Sequence, residues 1–139
     1  MTINTIKLKN RVAILRVSIG IIYLWFGTLK FFHGVSPAED LAKETITLLT
    51  FGLIPPNISL LLLAIWEVAI GALLIMGIFN RKVFWLVLVH MICTFTPLVL
   101  LPNVSFTQAP VALTLVGQYI IKNIVIISAL LVVRVMEEK

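Results

Sequence analysis

The sequence predicts an all-α integral membrane protein, a four-helix bundle with a short amphipathic helix outside the membrane between helices 1 and 2. The 139 residues are 60% hydrophobic and 12% charged, and the mean hydropathy is +1.12. Soluble domains are roughly half apolar and about a quarter charged. Four apolar runs, at 12–32, 58–78, 83–101 and 113–133, each have about 20 residues, enough for a helix to cross a ~30 Å hydrocarbon core. We therefore expect residues 1–139 to form a single membrane domain.

The connection between the first two runs has a pattern of its own. Ser36, Pro37 and Glu39 are spaced as an N-cap, a proline at the first helical position and a capping-box glutamate. The spacing predicts a surface helix over 37–50, which either lies on the membrane or packs as a lid on the bundle. The connection 102–112 is expected to be an uncharged loop. In the third run Pro97 predicts a kink, because it leaves the Cys93 carbonyl without its helical donor.

The net charge of +5 is best explained by membrane topology, not by nucleic-acid binding. The single cysteine excludes an internal disulfide and a cysteine-based metal site. The positive-inside rule predicts that both termini are cytoplasmic and that the 37–50 helix lies outside. The basic residues on the cytoplasmic side are Lys7, Lys9, Arg11, Arg81, Lys82, Arg134 and Lys139.

Ionisable residues inside the runs identify the candidate site. An ionisable side chain at the bilayer centre costs at least about 2.5–3.5 kcal/mol on insertion scales. Glu67 and Lys122 lie at comparable depths in the second and fourth runs, so we expect them to form an ion pair. Gln118 lies one turn outward of Lys122, and Asn123 is expected to face or stack beside a neighbouring helix.

The first run carries a stripe of small and polar residues at spacings of four and three. Small residues let a second helix approach closely, and the polar residues face it. Tyr23 is deep enough to need a hydrogen-bond partner, whereas Lys30 could either join the interior or snorkel to the interface. The stripe consists of Arg16, Gly20, Tyr23, Gly27 and Lys30.

His90 shares a face of the third helix with Thr94. A lone histidine among apolar residues is more often a hydrogen-bonded core residue than a ligand, and no metal motif accompanies it. The polar set as a whole is either a seam that holds the helices in register or a functional cavity that opens outward. The residues expected to line that cavity are Tyr23, Lys30, Glu67, Gln118 and Lys122.

Several short segments, in order along nearly the whole chain, resemble the DoxX family of small bacterial membrane proteins. Val116 stands where an acidic residue is expected in one branch of that family. The matching segments are Leu24–Phe32, Ser36–Ala42, Trp66-Glu67 with Gly71 and Gly77, Thr94–Leu100, and Gly117–Asn123.

The resemblance implies a four-helix bundle in the bacterial inner membrane and carries over Lys30, Glu67, Lys122 and Asn123 as candidate site residues. The family takes its name from a subunit of a thiosulfate:quinone oxidoreductase. One hypothesis is therefore a redox-linked subunit that binds quinone or another small lipophilic ligand, with His90 or Glu67 relaying a proton. The alternative is a non-catalytic accessory or assembly subunit of a larger complex, and homo-oligomerisation is compatible with either. A small transporter ranks last, because four helices are few for an inverted repeat.

Overall fold

The computed structural model describes the backbone of residues 3–137 and the side chains of residues 6–137, so Lys139 lies outside the described part. Among these described residues, four helical segments are long and apolar enough to cross a membrane: Ile6–Leu29, Pro56–Ile75, Arg81–Leu100 and Leu115–Glu137. The predicted class, an all-α membrane bundle, is confirmed. The elements are α1 (Ile3–Leu29), α2 (Glu39–Leu49), α3 (Pro56–Ile75), α4 (Arg81–Cys93), α5 (Pro97–Leu100), α6 (Pro102–Ser105), β1 (Phe106–Gln108), β2 (Ala112–Leu113) and α7 (Leu115–Glu137).

Helices α1 and α3 form the closest-packed pair in the bundle. A Cβ atom added to Gly71 would lie 2.6 Å from the backbone nitrogen of Leu24 and 2.8 Å from the Gly20 carbonyl oxygen. One added to Gly27 would lie 2.8 Å from the Glu67 Cβ. Such distances leave no room for a side chain, so the glycines bring the two backbones together. The predicted stripe of α1 therefore faces α3.

The apolar core occupies the half of the bundle nearer the chain termini, and all four spans contribute to it. Its buried side chains interdigitate as a single cluster. Its members include Val12, Ile19, Ile70, Leu74, Val83, Val87, Leu130 and Val133. Buried polar side chains instead concentrate toward the opposite end, which we call the loop end. They are Lys30, Ser36, Glu39, Thr45, Ser59, Glu67 and Ser105.

The third span is interrupted where the sequence predicts a kink. Helix α4 ends at Cys93 and α5 begins at Pro97. Pro97 has no N–H to donate, and the Cys93 carbonyl accepts instead from the backbone N–H and the hydroxyl of Thr96, at 3.1 and 2.7 Å. The Thr94 hydroxyl donates to the Met91 carbonyl at 2.6 Å. The two threonines thus satisfy carbonyls at the break.

The connection predicted as a plain loop contains secondary structure. Helix α6 leads into an antiparallel hairpin of β1 and β2, with a cis peptide bond before Pro110. The Thr114 hydroxyl donates to the Val104 carbonyl at 2.6 Å and accepts from the Gly117 N–H at 3.1 Å, which caps α7. A Cβ on Gly117 would lie 2.1 Å from the Ser105 carbonyl oxygen. The start of α7 is therefore held directly against α6.

Helix α2 forms between the first two spans, but the predicted capping box is wrong. The helix begins at Glu39 with Ala38 as N-cap, and no side chain caps it. The Glu39 carboxylate instead accepts from the backbone N–H of Gly34 at 2.7 Å, outside the helix. At the other end the chain turns through Phe51 at φ +52° and Gly52 at φ +74°.

Candidate functional site

Four polar side chains from three spans form a continuous chain inside the bundle, which we call the interior polar chain. Its first contact is an ion pair: Lys30 Nζ lies 2.6 Å from Glu67 Oε2. The same ammonium donates to the Phe26 carbonyl at 3.3 Å, because the Lys30 side chain points back along α1. The Lys30 and Glu67 side chains are 5% and 10% exposed. Of the two options for Lys30, the interior one is thus observed.

His90 extends the interior polar chain from α3 toward α1. Its Nε2 lies 3.6 Å from Glu67 Oε1, and its Nδ1 lies 3.0 Å from the Tyr23 hydroxyl. The two rings meet edge to face, with centroids 5.4 Å apart. The predicted need of Tyr23 for a partner is met by His90. His90 is thus a hydrogen-bonded interior residue, and it also lies beside the Glu67 carboxylate.

The hydrogen bond to Tyr23 bears on which His90 nitrogen carries a proton. A tyrosine hydroxyl can donate to an unprotonated Nδ1. A neutral imidazole in that state carries its proton on Nε2, the nitrogen that faces Glu67. The 3.6 Å distance between His90 Nε2 and Glu67 Oε1 is longer than a hydrogen bond. A movement of roughly 0.5 Å would bring the two groups within range of proton transfer.

The predicted ion pair between Glu67 and Lys122 is wrong. Glu67 pairs with Lys30, while Lys122 is exposed on α7 with its Nζ 5.1 Å from the centroid of the Tyr119 ring. The sequence places Glu67 and Lys122 at similar depths within their spans. The rotation of α7 about its axis, however, turns Lys122 out of the interior. Gln118 is exposed as well. The five residues expected to line one cavity are therefore not brought together.

Asn123 joins two spans at another point. Its side-chain amide donates to the Thr94 hydroxyl at 2.9 Å, so it faces a neighbouring helix, as expected. Thr94 follows His90 by one turn of the third span. This bond fixes α7 against α4 without contributing to the interior polar chain.

A second polar cluster lies outside the membrane-spanning segments and was missed by sequence analysis. Glu39 Oε1 lies 2.7 Å from Lys43 Nζ and 2.6 Å from His33 Nδ1, and Oε2 accepts from the Gly34 N–H at 2.7 Å. The hydrogen bond from Lys43, followed by that from Gly34, lowers the pKa of Glu39 to about 2. Glu39 and Lys43 are four residues apart, a helical ion-pair spacing that was available in the sequence. We call this cluster the Glu39 clasp.

Two hollows in the described surface are apolar. One lies along α1 beside Trp25 and Thr28, and the other lies near the end of α7 around Val132 and Val135. Among the described residues, no group of three histidine, cysteine or acidic side chains is arranged to hold a metal ion. The interior polar chain therefore remains the main concentration of ionisable chemistry within the spans.

The sequence profile of the DoxX family matches residues 11–103. The chain belongs to the DoxX family. No curated protein and no solved structure matches it. The DoxX match contains all four residues of the interior polar chain and ends before α7. Gln118, Lys122 and Asn123 therefore lie outside the part of the chain that the DoxX profile covers.

Proposed function

We propose that this DoxX protein is a redox-linked membrane subunit in which the interior polar chain exchanges protons with a quinone or a similar small lipophilic ligand. The observation that carries the proposal is the interior polar chain itself, which brings four ionisable side chains together within one bundle. They are Tyr23, His90, Glu67 and Lys30. Polar bonds between membrane helices average about 0.6 kcal/mol, so stability alone is a weak reason to keep ionisable groups there. Ionisable residues inside spans are typical of proton relays and ligand sites.

Each residue of the interior polar chain has a role in this proposal, and that of Tyr23 is to orient the His90 ring through its hydrogen bond with Nδ1. His90 and Glu67 carry the proton, because both groups can gain and lose one. Lys30 holds Glu67 in place, and an ammonium has three donors, of which Glu67 and the Phe26 carbonyl use two. The third can donate to the carbonyl oxygen of a ligand once the bundle opens beside Lys30, whose side chain is 5% exposed. Reduction of a quinone to a quinol consumes two protons and two electrons, and the electrons come from a partner electron-transfer protein.

A titration with a short-chain quinone tests the proposal. The purified protein in nanodiscs is titrated with a water-soluble ubiquinone analogue, and quenching of tryptophan fluorescence reports binding. We expect saturable quenching, with a weaker affinity in Tyr23→Phe and Glu67→Gln. The matched control is Lys122→Met, which alters a lysine that does not contact Glu67. Quenching that does not saturate, or that weakens equally in the control, would contradict the proposal.

The accessory-subunit alternative is favoured by a separate observation. Gln118, Tyr119 and Lys122 are exposed near the loop end of α7, although they lie within a span. Polar groups on the outside of a membrane helix are suited to contact with another membrane protein. If this function is correct, Gln118→Leu combined with Lys122→Met abolishes co-purification with a larger complex. Tyr23→Phe leaves that co-purification unchanged, so the two functions give opposite results.

For its location, we propose the bacterial inner membrane with both termini in the cytoplasm. The proposal is supported by the four spans found in the described residues, an even number that places residues 3 and 137 on one side, and by the concentration of basic residues near that side. A phosphatase fused after residue 139 should be inactive, whereas one inserted at Gly52 should be active in the periplasm. The reverse pattern would overturn the orientation.

A further inference from the structure

The turn that joins α2 to α3 exposes large apolar side chains. Phe51 is 92% exposed and Leu53 is 83% exposed. Leu48 and Leu49, on the last turn of α2, are 44% and 41% exposed. Residues 48–53 contain no charged side chain. In water this segment would be an unfavourable concentration of apolar surface.

The exposed Phe51 also has an unfavourable, left-handed backbone conformation. The Gly52 N–H donates to the Thr47 carbonyl at 2.8 Å, which closes the end of α2 as in a Schellman motif. Glycine is the usual residue at the left-handed position of this motif, but here Phe51 occupies it, at φ +52°. Since the ring is almost fully exposed, packing against the described residues does not compensate for the strained backbone. A phenylalanine in this conformation points to a contact beyond the described residues.

The position of the turn identifies that contact. Leu53 lies three residues before Pro56, where α3 begins its crossing of the membrane. The side chains that follow on the outer surface of α3 are also apolar, with Ile58 51%, Leu61 47% and Leu62 52% exposed. The apolar surface of the turn thus continues into the lipid-facing surface of a span.

We propose that residues 48–53 form an apolar wedge that inserts into the lipid leaflet at the loop end of the bundle. Lipid is favoured over a second copy of the chain because the wedge is continuous with a surface that already faces acyl chains. Interfacial helices bury their apolar faces about 5–10 Å into the boundary between headgroups and acyl chains, and a segment just before a span lies at that boundary. The inference does not depend on the proposed redox function.

The wedge completes the attachment of α2. The Glu39 clasp fixes the first turn of the helix to the turn that follows α1, through the Gly34 N–H and His33. The wedge fixes the last turn to the membrane. Helix α2, which packs against α3 and α5, is therefore held to the protein at its first turn and to the bilayer at its last turn.

Site-directed spin labelling in nanodiscs tests the wedge. Cys93 is first replaced by serine, and a single cysteine is then introduced as Phe51→Cys and spin-labelled. The label's collision rates with oxygen, which partitions into lipid, and with a water-soluble nickel complex are measured. Glu44→Cys, at an exposed position of the preceding helix α2, is the matched control.

We expect the label at position 51 to collide with the nickel complex several-fold less often than the label at position 44, and with oxygen several-fold more often. Leu53→Cys should behave like Phe51→Cys and serves as the second test if the latter does not fold. Equal access of the nickel complex at positions 44 and 51 would overturn the wedge. Poor access of both reagents at position 51 would also overturn it, because that pattern indicates burial against protein.

Discussion

Lys30 Nζ and Glu67 Oε2 lie 2.6 Å apart, where α1 and α3 are close enough for Gly27 to contact Glu67. The pair has little access to water, so neither charge can be hydrated if the other is removed. Its energetic importance is therefore best measured by removing one member at a time.

Lys30→Met should strongly destabilise the protein. Removing one member of a buried ion pair typically costs about 3–5 kcal/mol, because the remaining charge is left uncompensated. Thermal unfolding in detergent measures the effect. Addition of Glu67→Gln to Lys30→Met should recover much of the loss.

Lys122→Met is the control for the ion pair, because Lys122 is exposed. It should change the free energy of unfolding by less than about 1 kcal/mol. A loss as large as that of Lys30→Met would show that Glu67 depends on Lys122 after all.

Gly71→Ala should weaken the contact between α1 and α3. The new Cβ would meet backbone atoms of Leu24 and Gly20, which cannot move without separating the helices. Overpacking of this kind typically costs about 1–3 kcal/mol. Ser128→Ala, at an exposed position of α7, makes a small change without a new contact and should be nearly neutral. Equal unfolding midpoints for the two variants would contradict the close approach.

Glu39→Gln should destabilise the fold in a pH-dependent way. Folding lowers the pKa of Glu39 from 4.5 to about 2, so its carboxylate contributes stability above pH 4.5. That contribution is lost as the pH falls toward 2. The difference in unfolding midpoint between wild type and Glu39→Gln should therefore be largest above pH 4.5 and shrink toward pH 2. Asp40→Asn, at an exposed acidic position on the same turn, is the control and should show a much smaller difference throughout.

Phe51→Gly and Phe51→Ala separate backbone strain from side-chain contact. Both remove the ring, but glycine adopts the φ of +52° without a steric penalty. In detergent, Phe51→Gly should be more stable than Phe51→Ala by about 1 kcal/mol, as measured by thermal unfolding. If the two variants are equally stable, the left-handed turn at this position is not formed in solution.

The four spans could be predicted from the sequence because hydropathy over about 20 residues follows directly from bilayer thickness. The stripe on α1 could be predicted as well, since helical spacing determines which residues share a face. The ion-pair partner of Glu67 could not be predicted in this way. Similar depth does not specify rotation about a helix axis, and that rotation points Lys30 inward and Lys122 outward.

The prediction of a capping box was wrong for a different reason. Ser36, Pro37 and Glu39 have the right spacing, but the Glu39 carboxylate bonds to Gly34 and Lys43 instead. The hydrogen bond from Gly34 comes from the chain that enters the helix, so it depends on the turn after α1. Local spacing carries no information about that turn, and the hairpin in 106–113 was missed for the same reason.

The contact between Gly117 and the Ser105 carbonyl has a consequence for how the protein responds to bilayer thickness. A single transmembrane helix adjusts to a thinner membrane by sliding or tilting on its own. Helix α7 cannot slide, because its first turn abuts α6 and its Asn123 is bonded to Thr94. Its vertical register is thus set by protein contacts. A change in membrane thickness is then met by tilt of the whole bundle or by local thickening or thinning of the bilayer, and either response keeps the depth of Lys122 constant relative to the interior polar chain.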